Sequence, residues 1–245
     1  KYEGRNSIDD NSPERIQHRQ NVQNELMAMG SAVIDSDGKT QYNGAIQTGK
    51  DNPSGKPRVD IVIGLPGSGK SSALVDPISQ AYGGRVIDSD MAKERLDGYD
   101  NGIGASYVHE ESGAIAKGVI DEAIKRGENV VLPIVGGNQG NLAVRVWDFK
   151  GEGYEVYIHL NELPPAKAMG RAINRFLETG RFINPDILDG YGNTPTETFE
   201  ASIEWEDFAD GWTRWSNDVP YGAPPQKIDA GGITGNSDEA GRSIA

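Results

Sequence analysis

The chain has 245 residues, no cysteine, and 24 Lys+Arg against 37 Asp+Glu, a formal net charge of −13. The missing cysteines exclude disulfides and thiolate zinc sites, and so acidic a surface repels nucleic-acid backbones unless basic residues gather locally. No run approaches the roughly 20 apolar residues of a spanning helix, so neither a membrane nor nucleic acid is an expected partner; with no secretory leader pattern in view, a cytoplasmic location is expected.

Residues 1–57 read as a polar extension with one helix. Ser12-Pro13-Glu14 is a start signal: a serine N-cap, then proline at the first helical position, where its missing N–H costs nothing. Ile16, Val22, Leu26 and Met29 form a rough apolar stripe, and Gly30 stops it. From Ser31 to Pro57 the chain has linker chemistry, with at most a weak hairpin around Asp37-Gly38.

The pattern changes at Arg58. Val59-Asp60-Ile61-Val62-Ile63 is a β-branched run expected to be a buried strand. A glycine-rich loop and a helix from Lys70 to Tyr82 follow, then a strand at Arg85–Asp88. A long helix is expected over Ser106–Arg126, with Gly127 as its stop. Strands at Asn129–Val135 and Tyr154–Leu160 flank a helix at Asn141–Lys150. Pro164-Pro165 opens a helix running to Thr179. Beyond it, a helix at Thr196–Phe208 and an edge strand at Gln226–Ala230 complete the expected elements. The rings of Trp205, Trp212 and Trp215 are expected to pack a satellite cluster.

Strands alternating with helices imply an α/β fold with a parallel sheet flanked by helices; the glycine-rich motif at 64–71 makes the expected type that of the P-loop NTPases. It carries a helical N-terminal extension and an irregular C-terminal region. The expected division is 1–57 for the extension, 58–230 for the catalytic domain and 231–245 for a disordered tail.

Gly64-Leu65-Pro66-Gly67-Ser68-Gly69-Lys70-Ser71 fits G-x-x-x-x-G-K-[ST]. Small residues let successive backbone N–H groups converge on phosphate oxygens, and the following helix aims its positive end at the same anion. Lys70 supplies a point charge for the β- and γ-phosphates, and Ser71 a hydroxyl for Mg²⁺. Gly64, Leu65, Pro66, Gly67, Ser68, Gly69, Lys70, Ser71 and Ser72 are thus the expected ATP-binding residues. The loop lies between a predicted strand and a predicted helix, the context the motif requires.

The strand at 129–135 carries no acid, unlike the corresponding strand of motor-type ATPases. The nearest acids are in Ile87-Asp88-Ser89-Asp90. In a parallel sheet, ligands bind beyond the carboxyl ends of the strands, so both fall beside the phosphates. A carboxylate there can take a proton from an attacking hydroxyl or hold Mg²⁺. Asp90 is the expected base and Asp88 the expected metal or substrate partner; capping the next helix is the competing role for either. Arg171, Arg175 and Arg181 form a basic cluster suited to a transferring phosphoryl group, with a solvated basic face as the alternative.

The order Gly-x-Pro-Gly-Ser-Gly-Lys-Ser, then Ile-Asp-Ser-Asp, then an arginine-rich helix ending in Thr-Gly-Arg, resembles the zeta toxin family of P-loop kinases. The resemblance spans roughly residues 56–189. It implies ATP-dependent phosphorylation of the 3′-hydroxyl of the sugar in UDP-N-acetylglucosamine, and an antitoxin protein as partner. It implies Asp90 as the base, with Arg181 and one of Arg171 and Arg175 as lid arginines. The segment His109-Glu110-Glu111-Ser112 is similar to one in zeta-like proteins, which implies that His109, Glu110 and Glu111 face the substrate; opposing the helix dipole is the other role for the glutamates. The strand at 129–135 ends in Val135-Gly136-Gly137, where relatives often carry an acid. That departure bears on the acceptor more than on the kinase chemistry. The small residues there would admit a ligand close to the backbone. Two alternatives stay open: a phosphotransferase acting on another nucleotide, NAD-like or antibiotic acceptor, and an ATP-dependent binding switch.

Overall fold

The computed structural model describes residues 6–220 and 222–232. The tail expected over 231–245 lies outside the described residues apart from its first two.

In chain order the elements are α1 (Pro13–Ala28), β1 (Ser31–Ile34), β2 (Thr40–Gly44), β3 (Arg58–Ile63), α2 (Asp76–Tyr82), β4 (Arg85–Val86), α3 (Ser89–Lys93), α4 (His109–Arg126), β5 (Val130–Ile134), α5 (Gln139–Gly151), β6 (Glu155–Glu162), α6 (Pro165–Thr179), α7 (Pro185–Tyr191), α8 (Thr194–Ile203), β7 (Gly211–Ser216) and β8 (Gln226–Gly231). Six strands form one sheet in the order β4-β5-β3-β6-β7-β8. All neighbours are parallel except the edge pair β7–β8. The sheet is the expected parallel one, with β3 at its centre.

Side chains on a strand alternate between faces, and β3 feeds two cores. Val59, Ile61 and Ile63, all fully buried, join Val130, Leu132, Ile158, Ile115, Val119, Leu142 and Phe149 beneath α4 and α5. Val62 joins Val131, Leu74, Val75, Ile78 and Trp215 beneath α2. Burying each large aliphatic side chain stabilises by about 1.5–3 kcal/mol. A central strand with five buried residues in a row is therefore a rigid platform for the loop that follows it.

The second face also carries a buried polar chain. Asp60 accepts from Arg58 and pairs with His159 Nε2 at 2.8 Å, and His159 Nδ1 meets the Thr213 hydroxyl at 2.7 Å. Trp215 Nε1 donates to the same hydroxyl. These bonds satisfy groups that would otherwise be costly to bury.

Several boundaries differ from expectation. Residues 31–44 form the hairpin that Asp37-Gly38 suggested, with both strands paired: Asp35 Oδ1 accepts from the N–H groups of Asp37 and Lys39, and Gly38 takes φ +76° to close the turn. It packs on α2, where Asp76 accepts from Thr40 and Tyr42. Within α1, Ser12 caps as expected and Val22 and Leu26 are buried, but Ile16 is exposed. Helices α3 and α7 and strand β7 were not expected. The tryptophans divide among three settings: Trp215 is core, Trp212 packs edge-on against Phe199, and Trp205 stacks on Trp147 near the surface.

Candidate active site

The glycine-rich loop leaves β3 at the carboxyl end of the sheet. Gly67 and Gly69 have φ of +79° and +77°, a region glycine enters without strain. A Cβ on Gly67 would lie 2.5 Å from the Ala168 carbonyl, and one on Gly69 2.8 Å from Asn217 Nδ2. The loop is thus pressed against α6 and the end of β7. The turn that follows, Ser71–Val75, is wound wider with an i→i+5 bond from Asp76 N–H to Ser71 O. Such wide turns recur at functional sites.

Lys70 Nζ folds back to donate to the Gly64 carbonyl at 3.1 Å. Burial lowers its pKa, Arg181 and Arg175 push the same way, and Asp88 and Asp90 oppose them. Five of the residues expected at the site therefore share one electrostatic field.

The two aspartates divide their roles. Asp88 is the N-cap of α3: its Oδ1 accepts from Asp90 N–H at 2.8 Å. Burial and then the Asp90 charge raise its pKa. Asp90 stands in the first turn of α3 and accepts from Lys93 Nζ at 2.9 Å and Arg181 Nη2 at 3.1 Å. Burial pushes its carboxyl up, but Lys93, Arg181 and Lys70 together hold it below the usual range. It is ionised at neutral pH, as a proton acceptor must be.

The three arginines also separate. Arg171 reaches the back of the loop, donating to the Asn217 carbonyl at 2.9 Å and the Ser68 carbonyl at 3.4 Å. Arg181 follows the left-handed Gly180 cap of α6 and bridges Asp90 and Glu94. Arg175 interacts electrostatically with Arg181, Glu94 and Asp90. Arg175 and Arg181 thus belong to the Asp90 side, and Arg171 to the loop.

Three expectations are corrected. Glu111 is fully buried and turned to α1, where Arg15 and Arg19 occupy both its carboxylate oxygens. It is a structural anchor of the extension and has no oxygen left for a substrate. Gly136 and Gly137 make room for protein: a Cβ at the first would lie 2.5 Å from Ile63 Cγ2, and at the second 2.6 Å from the Tyr191 ring. Trp215 lies beneath α2 rather than in a satellite cluster. His109 and Glu110 are exposed in the first turn of α4. Ser112 turns inward to bond the His109 carbonyl.

The Mg²⁺ expectation can be set against these donors. Ser71 is exposed, and its hydroxyl has no partner among the described residues; Asp88 uses only Oδ1. A hydroxyl and a carboxylate at the strand ends, beside nucleotide phosphates and water, suit an ion that keeps few protein ligands. Among the described residues no cluster of three or more His, Asp or Glu could hold a metal alone. No described helix is long and apolar enough to cross a membrane.

Two further site residues escaped the sequence reading. Asn161, near the end of β6, and Asn217, just beyond β7, both donate to the Ser68 carbonyl. The one available signal was a polar residue at the end of an apolar strand, which Asn161 satisfies.

The sequence model of the zeta toxins matches residues 43–206. The chain belongs to the zeta toxin family of P-loop kinases. Solved structures with the same fold include a chain of the PezAT chromosomal toxin–antitoxin system of Streptococcus pneumoniae, at 15% identity and TM-score 0.63, covering 91% of this chain and 82% of that one. Another is the AvrRxo1-ORF1:-ORF2 complex with ATP, at 12% identity and TM-score 0.66, covering 96% and 73%. The same complex with sulphate ions gives 14% identity and TM-score 0.64, covering 95% and 73%. No curated protein sequence matches the chain.

Proposed function

We propose that this zeta toxin family member is an ATP-dependent kinase that phosphorylates a hydroxyl of a small metabolite, most concretely the sugar of a nucleotide sugar such as UDP-N-acetylglucosamine. The observation that carries the reading is the placement of an ionised Asp90, bracketed by Lys93 and Arg181, within the electrostatic reach of Lys70 at the carboxyl end of the sheet. Nucleotide phosphates would lie on the backbone of 64–72, with Lys70 on the β- and γ-phosphates. Mg²⁺, held by Ser71 and Asp88 together with the nucleotide, would neutralise phosphate charge.

Asp90 takes the proton of the acceptor hydroxyl as its oxygen bonds to the γ-phosphorus. The bond from that phosphorus to the bridging oxygen breaks and ADP departs. Arg175 and Arg181 stabilise charge on the moving phosphoryl group, with Arg181 exchanging Glu94 for phosphate oxygens. Positioning and electrostatics suffice for such a step. His109 and Glu110, exposed at the start of α4, remain the candidate acceptor contacts. ATP in the AvrRxo1 complex supports the nucleotide assignment, and the PezAT system supports an antitoxin-like protein partner.

The test is incubation of the protein with ATP, Mg²⁺ and a panel of nucleotide sugars, nucleosides and NAD-like compounds, followed by mass spectrometry. One added phosphate on a UDP-amino sugar is the expected result. Phosphate on another acceptor class overturns the substrate, and ATP binding with no labelled acceptor overturns the kinase reading.

A further inference from the structure

The rear of the glycine-rich loop holds an arrangement that the phosphate-binding motif does not explain. The Ser68 carbonyl, on a fully buried residue, accepts from three side chains carried by three elements. Asn217 Nδ2 donates at 2.6 Å, Asn161 Nδ2 at 3.0 Å and Arg171 Nη1 at 3.4 Å. A carbonyl has two lone pairs, so three donors saturate it. Asn217 is itself fixed, its N–H donating to the Glu162 carbonyl and its carbonyl accepting from Arg171. Asn161 is 1% exposed and leaves its Oδ1 without a partner among the described residues. Its Nδ2 also meets the Ser68 hydroxyl at 3.2 Å, and rotating the amide would set oxygen against the Ser68 carbonyl oxygen. The chain therefore tolerates a buried orphan acceptor in order to aim the donor, a choice that calls for an explanation.

Peptide planarity supplies one. In a trans peptide the C=O and the following N–H point in opposite directions. Donors that hold the Ser68 carbonyl toward the protein turn the Gly69 N–H the other way. That N–H has no backbone partner among the described residues. Gly69 sits at φ +77°, the conformation in which successive N–H groups form an anion-binding concavity. We infer that Asn217 and Asn161 are positioning residues that lock the Ser68–Gly69 peptide with its N–H presented to a nucleotide phosphate, so that the loop is preorganised before ATP arrives. The inference rests on the ATP-binding reading above. It adds that affinity for the polyphosphate depends on two side chains that do not touch it.

Asn217→Ala removes the shortest donor, and Asn217→Asp sets a carboxylate against the Ser68 carbonyl. Calorimetric titration with ATP should show weakening on the order of tenfold for N217A, the scale of one well-placed hydrogen bond, and more for N217D. Asn161→Ala should act in the same direction. The N217A/N161A pair should be non-additive, because both act on one carbonyl. A readout that loss of packing alone would not move is the Gly69 amide resonance. It should shift strongly on ATP addition in the wild type and weakly in N217D, with the nucleotide-free melting temperature of each variant recorded alongside. Folded variants with wild-type ATP affinity and a wild-type Gly69 shift overturn the inference. Asn217→Ser, which keeps a shorter donor, serves if the alanine variant fails to fold. A wild-type chain that binds no ATP overturns the kinase reading itself, which keeps the two failures apart.

Discussion

Glu111 and Asp90 are each held by two cationic side chains, and they could hardly be used more differently. Glu111 has no exposed surface and fills both oxygens with Arg15 and Arg19 from α1. Asp90 has a side chain 46% exposed, takes Lys93 on one oxygen and Arg181 on the other, and interacts electrostatically with Lys70. The first cluster is closed and joins two helices far apart in sequence. The second is open, and one of its cations follows the last turn of α6 and is shared with Glu94. Closure marks a structural ion pair, whereas an ionised acid with solvent access near the half-buried Lys70 is what proton transfer would require. If that division is right, substitutions at one cluster change stability and at the other change turnover.

The largest expected effect is at Asp90. Asp90→Asn should lower phosphoryl transfer by about 10³-fold, within the span of general-base catalysis. ATP affinity should stay near the wild-type value and the fold intact. A transfer assay paired with calorimetry checks both halves. Unimpaired transfer in the asparagine variant would remove Asp90 as the base.

Next is Glu111→Ala, which leaves two arginines facing a void. Breaking a buried pair by deleting one partner costs about 3 kcal/mol, read as a lowered denaturation midpoint in urea, with transfer per folded molecule unchanged. The acid dependence has a definite sign. Burial pushes the Glu111 carboxyl up, but Arg15, Ser7 and Arg19 outweigh it and hold it below its ordinary value of 4.5. Its stabilising contribution is therefore complete above pH 4.5 and lost as pH falls through the depressed folded value. Glu111→Gln should flatten the fall in stability over that acid window. An unchanged slope would mean that the pair is not what acid breaks.

The contrast also explains what could be read in advance. The strands at β3, β5 and β6 announce themselves as β-branched runs, and the phosphate loop by spacing, because both are local patterns. Asp90 was legible because the end of a parallel strand places it. Glu111 was misread because its partners lie 96 and 92 positions away, and nothing local tells a dipole-opposing glutamate from an anchored one. Strand β7 was missed because Gly-Trp-Thr-Arg-Trp-Ser lacks aliphatic alternation: its inward positions are Gly211, Thr213 and Trp215. With it went Asn217, whose role exists only through pairing of β7 with β6. Local chemistry was readable, and chemistry assembled across the sheet was not.

Arg181 offers the next smaller effect. Removing a cation that stabilises developing charge costs about 10²-fold in rate, so Arg181→Ala should slow transfer by that order while leaving the urea midpoint close to wild type. Retained full activity would return the arginine to a merely solvated role.

The same substitution separates the two clusters most finely through pH. Lys93, Arg181 and Lys70 oppose the upward push of burial on Asp90 and win. The base stays ionised until pH drops below the ordinary carboxylate range, and the acid limb of kcat/KM lies there. Deleting Arg181 removes one of the opposing charges and leaves the burial in place, so the Asp90 pKa rises and the limb moves to higher pH. Arg15→Ala, in the closed cluster, should leave the limb where it was while lowering stability. A limb that moves with Arg15 would show that α1 acts on Asp90 through α4 and α3, and the two clusters would have to be treated as one coupled unit.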